Sequence, residues 1–172
     1  MIRLRTLGVL ALCAATAACG HGDSEFQHLS VLDDSHIAVH APGLADAVVD
    51  AAGTLSIAGT PVTLDAAQSR IAARYFSSAL ALRNDAMKTG AAGASTAATA
   101  IASVAEGLAS GNPDSIDAKV NASAAKVEAA ADRVCADVQA LRKAQDDLAA
   151  ALPQFKPYAT IAAHAADSCK SD

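Results

Sequence analysis

A chain of 172 residues with a net charge of −5 is long enough for one ordinary domain, and its acidity argues against nucleic acid or an anionic lipid surface as an electrostatic partner. The hydrophobic fraction is 52%, but much of it is alanine, with three Phe, two Tyr and no Trp. Alanine buries little surface, so the core is expected to be thin and elongated, without a deep globular pocket.

Residues 1–18 read as an export signal. Arg3 and Arg5 precede an apolar run from Leu7 to Ala18. The run ends Thr16-Ala17-Ala18-Cys19, which resembles a bacterial lipobox, with Thr16 where a large aliphatic residue is more usual. On that reading Cys19 becomes the lipidated N-terminus; the alternative is plain cleavage after Ala17 or Ala18. Without the leader, 11 basic residues face 18 acidic ones. Gly20 after the cysteine resembles the sorting pattern of outer-membrane lipoproteins that face the periplasm of a Gram-negative cell. An acyl anchor needs no spanning helix.

Residues 19–34 are expected to form a flexible polar tether. Residues 35–64 then carry short β-type runs: His36–Ala41, Ala45–Ala51, Thr54–Ala58 and Pro61–Leu64. Pro42-Gly43, Ala52-Gly53 and Gly59-Thr60-Pro61 mark the turns between them. A three- or four-stranded antiparallel meander follows from this pattern.

Residues 65–152 organise the chain as a long helical hairpin. Asp65 and Gln68 have the spacing of a capping box. Ile71, Tyr75, Phe76, Leu80 and Leu82 supply an apolar face. Met87, Gly90, Ala94, Ala97, Ile101, Val104 and Leu108 continue in steps of three and four. From Thr89 to Ala105 there is no charge, and nearly every residue is Gly, Ala, Ser or Thr. Two readings stand for this segment: close packing against the second helix, or a small-residue face that meets a membrane or another protein. Gly90 and Gly93 admit a kink near 90–93. A break is expected near 110–113, where Asn112 is a good N-cap and Pro113 suits the first helical position. In the second helix Val120, Val127, Val134, Leu141 and Leu148 repeat every seven residues. Ala124, Ala131, Val138, Gln145 and Leu152 follow each by four. Pro153 ends the helix.

Residues 153–172 read as a tail packed on the hairpin, with Phe155, Tyr158 and Ile161 covering its open end. Cys135 and Cys169 are expected to form a disulfide in an oxidising compartment. No catalytic, cofactor or metal constellation emerges. Ser123-Ala-Ala-Lys126, Lys88-Thr89-Gly90 and Ser110-Gly-Asn112 match fragments of penicillin-interacting enzymes, but in reversed chain order and within alanine-rich helix. His36 and His40 would share a strand face roughly 13 Å apart, too far to chelate one ion.

The order Pro42-Gly43, Gly53-Thr-Leu55-Ser-Ile57-Ala-Gly59, Leu64, Gln68 and Tyr75 resembles the YggN-type family of exported bacterial proteins of unknown function. Cys135, Leu141, Gln145, Phe155-Lys-Pro157-Tyr158-Ala159 and Cys169 resemble a lipoprotein branch of it. The resemblance implies location and build, and no activity. The expected fold is therefore α+β, mainly α. The expected role is that of a non-enzymatic envelope lipoprotein. It would be membrane-anchored through Cys19 and in contact with an unidentified envelope protein. Gly90, Ala94, Ala97, Ile101, Val104 and Leu108 are the candidate interaction face. The alternative is a lipid-interacting protein that uses residues 89–105.

Overall fold

The computed structural model describes residues 28–110 and 114–165. Five short strands come first: β1 (Leu29–Val31), β2 (His36–Val39), β3 (Ala47–Asp50), β4 (Leu55–Ile57) and β5 (Thr60–Val62). They form one antiparallel meander in sequence order. Two long helices follow, α1 (Ala66–Ser110) and α2 (Asp114–Ala151), and then a 3₁₀ turn (Pro153–Tyr158). The mainly helical α+β architecture is as expected.

The strand register explains the sheet's buried face. Val31, Ile37, Val49, Leu55 and Val62 pair in turn across all five strands. The alternation of side chains along each strand puts this row on one face, where Ile37, Val49 and Leu55 are buried. The face packs on the first turns of α1. At the β3–β4 turn Gly53 has φ +78°, and a Cβ there would lie 2.0 Å from the Ser69 carbonyl oxygen of α1. Only glycine lets the turn lie against the helix. Asp50 closes the same turn by accepting from the Thr54 amide at 2.9 Å and hydroxyl at 2.6 Å.

The sheet corrects two expectations. Among the described residues it has five strands, not three or four, and β1 lies inside the stretch 19–34 expected to be tether. A three-residue strand is too short to show an alternation, so its pairing with β2 decides its fate.

The capping box is present in full. Asp65 Oδ1 accepts from the amides of Ala67 (2.7 Å) and Gln68 (2.9 Å). Gln68 Oε1 accepts in return from the Asp65 amide at 2.9 Å. The same Gln68 amide group donates to the Ala151 carbonyl at 3.1 Å, covering a free acceptor at the end of α2. α1 runs as a single helix through Gly90 and Gly93. The Asn112–Pro113 cap lies outside the described residues, as do the signal 1–18, Cys19 and Cys169.

The core sits at one end of the hairpin. It joins the sheet to Ala72, Tyr75, Phe76, Ala79 and Leu82 of α1, to Val138, Leu141 and Leu148 of α2, and to Leu152 just past the end of α2. The segment after Pro153 completes it with Phe155, Tyr158 and Ile161. Tyr75 and Phe155 meet edge-on with ring centroids 5.4 Å apart. Tyr158 donates its hydroxyl to the Ala45 carbonyl at 2.6 Å, tying the tail to the sheet. Gln145, wholly buried, clasps the backbone of Ile161. Its Nε2 donates to the Ile161 carbonyl at 3.1 Å, and its Oε1 accepts from the Ile161 amide at 2.9 Å. The aromatic cover expected of the tail is thus present, built on a 3₁₀ turn.

Candidate functional site

Beyond this core the hairpin continues as a pair of helices with small side chains between them. On α1 the half-buried positions facing inward are Asp85, Thr89, Ala92, Gly93, Thr96 and Thr99, with Ser103 buried. Stepping from Leu82 by three or four residues reproduces this row. On α2 the inward residues include Val120, Ser123, Val127, Ala130, Val134, Asp137 and Val138. The valines of the seven-residue repeat are in place, whereas Ala124 and Ala131 are exposed. The expected α1 seam is out of phase. Met87, Gly90, Ala94 and Ala97 are exposed, and Met87 is 62% accessible. A Cβ at Gly90 or Gly93 would meet no neighbour within 4 Å, so neither glycine is there for close helix approach.

Gly90, Ala94 and Ala97 therefore share a solvent-facing surface with Ala91, Ser95 and Ala98. No charged residue lies between Lys88 and Glu106. Ile101, Val104 and Leu108 belong to the same helix. This uncharged outer face is the surface that the sequence pointed to as an interaction face, although the seam assigned to it was misplaced.

A second feature lies where the core ends. Asp85 of α1 and Asp137 of α2 are near enough across the hairpin for each carboxyl to act on the other. Lys88 donates to Asp85 at 2.7 Å and, with help from the Arg133 charge, holds its carboxyl below the usual range. Asp137 is pushed the other way, first by burial and then by the charge and hydrogen bond of Asp85. One of its oxygens, Oδ2, is buried with no hydrogen-bond partner. The two carboxyls are thus pushed in opposite directions, Asp85 toward its charged form and Asp137 toward its neutral one. Thr89 ties the same level together by donating to its own helix at the Asp85 carbonyl (2.7 Å), with a longer approach to the Ala130 carbonyl (3.4 Å). Sequence reasoning passed over this pair. The available signal was an Asp one residue before Val138, on the inward side of the repeat.

The other sequence candidates are dispersed. His36 pairs with Asp33 at 3.0 Å and His40 with Asp46 at 2.6 Å. Asp33 is itself held low by the Ser35 amide and then by His36. Among the described residues no group of His, Cys, Asp and Glu could hold a metal ion. Lys88 belongs to Asp85, while Ser123 and Lys126 lie on α2, half-buried and exposed respectively. Cys135 is half-buried and engaged. No described helix is long and apolar enough to cross a membrane. No family model, curated protein or solved structure matches the chain.

Proposed function

We propose that this chain is a periplasm-facing envelope lipoprotein of a Gram-negative cell, anchored through Cys19, that works by presenting its hairpin to another envelope protein. The supporting observation is the uncharged outer face of Gly90, Ala94 and Ala97, carried on a helix whose base is fixed by the sheet and the tail. Small side chains give up little conformational entropy on contact, so such a face suits a partner helix. A photo-crosslinking residue at Ser95 or Ala97 in the intact cell should trap a discrete envelope protein. The same residue at Lys143, on the charged side of α2, should not. Equal trapping at both positions, or none at either, counts against the contact role.

The proposal includes a Cys135–Cys169 disulfide that fastens the tail to α2. Closing a loop of about 35 residues would stabilise the fold by roughly 3–4 kcal/mol on the chain-entropy model. It also includes membership of the exported YggN-type family. Intact mass of the protein from its native membrane reads the acyl anchor and the disulfide together. The same uncharged face supports a second reading, direct contact with lipid. Partition of the unlipidated protein into liposomes, abolished by Ala97→Lys, would favour that reading, and absence of partition removes it.

A further inference from the structure

At the opposite flank of the sheet from β5, an open groove of about 310 Å³ runs between β1 and α1. Buried Ala79 and Leu82 form its floor, half-buried Leu29 and Val31 one wall, and exposed Arg83 and Ala86 its rim. Two of the three exposed large apolar residues among those described, Leu32 and Met87, sit one residue beyond lining residues. The lining is apolar save for one cation. Among the described residues Arg83 has no carboxylate partner, as is also true of Arg70, Lys126 and Lys156; what distinguishes it is its place on the rim of this apolar groove.

We propose that this groove binds a fatty acid, with the alkyl chain along Leu29, Val31, Ala79 and Leu82 and the carboxylate on Arg83. The volume lies at the small end of ligand sites and suits a slender, flexible chain. One guanidinium matches one carboxylate, and its planar fork can take both oxygens. The chain as a whole is acidic, so long-range attraction contributes little, and affinity should come from the buried tail with Arg83 setting head-group preference. The groove ends about one turn before the hairpin face on the same side of α1, Ala86 preceding Gly90 by four residues, but its test reads fatty-acid binding and not a protein contact.

Calorimetric titration of the purified protein with octanoate, decanoate and dodecanoate, each below its micelle concentration, tests it. Saturable 1:1 binding is expected, tightening about fourfold per added methylene until the groove is full. Decyltrimethylammonium, with the opposite head-group charge, should bind at least tenfold more weakly than decanoate. Arg83→Glu should weaken decanoate at least tenfold, and Ala86→Trp should block the groove. Both side chains are exposed, and an unchanged melting temperature in each variant shows that the fold survives. The proposal is overturned if no saturable binding occurs, or if both variants bind decanoate as the parent does. It is equally overturned if the protein is a dimer in solution that Ala86→Trp dissociates, since a second copy would then fill the groove.

Discussion

Gln145 shows how one residue can fix a segment that has little regular structure. A glutamine at a core position of a seven-residue repeat is costly unless both ends of its amide are used, and here the Ile161 backbone uses both. Gln145→Leu would keep the volume but strand a buried N–H and a buried C=O. We expect a loss of about 2–4 kcal/mol in urea unfolding, with earlier proteolysis after Pro157. Asp137 makes the complementary point. Its folded pKa is raised by burial and by Asp85, so its contribution to stability is fully present below the unfolded value of 3.8 and is lost as pH rises through the folded value. Asp137→Asn offers Asp85 an amide donor and has no charge to titrate. The variant should melt a few degrees above the parent at neutral pH, and the gap should close as the two are titrated toward pH 3.8. A gap that is constant with pH would show that Asp137 does not titrate between the two states. Neither role could be read from sequence alone. Gln145 was visible as a polar residue in an apolar row, but nothing local names its partner sixteen residues on.

At the scale of elements, legibility followed side-chain contrast. Asp65 and Gln68 gave the start of α1 because capping uses residues three apart, and Pro153 gave the end of α2. The large residues Tyr75, Phe76, Leu141 and Leu148 marked the core faces. In the alanine-rich half of α1 the contrast vanishes. Thr, Ser, Gly and Ala differ too little in hydrophobicity to set a phase, so a row begun at Met87 looked as good as the true continuation from Leu82. β1 escaped for a related reason, being too short to carry a period. The correction at the glycines has a measurable consequence. Gly90 and Gly93 carry the helical cost of glycine, and a methyl group at either would meet open space. Gly90→Ala and Gly93→Ala should each stabilise the protein, by up to about 1 kcal/mol where the helix unfolds with the core. If the outer face works through Gly90, Gly90→Ala should also weaken crosslinking at Ser95 while raising the melting temperature, and Gly93→Ala, on the inward side, should raise the melting temperature alone.

For the whole molecule, the uneven distribution of burial matters more than any single contact. Every fully buried apolar residue among those described lies in residues 37–82 or 138–161. Between them the two helices meet through Thr89, Thr96 and Thr99 on one side and Val120, Val127 and Val134 on the other, all only half-buried. Burying a large apolar side chain is worth roughly 1.5–3 kcal/mol, and a threonine or alanine in a shallow seam gives only a fraction of that. Among the described residues the base therefore holds most of the buried apolar surface, and the stretch of residues 89–99 against 120–134 should open without unfolding it. Native-state hydrogen exchange reads this directly. Amides of residues 141–148 should exchange only through global unfolding, with a denaturant dependence to match. Those of residues 92–99 and 120–127 should exchange through smaller openings that denaturant hardly affects. The two sets should converge only near the unfolding midpoint. A partner bound along Gly90, Ala94 and Ala97 would slow the second set selectively, because the contact would add burial where the hairpin has least of its own. Uniform protection along both helices would instead mean that the polar seam contributes as much as the aromatic base, and the mechanical division between the base and that stretch would fall.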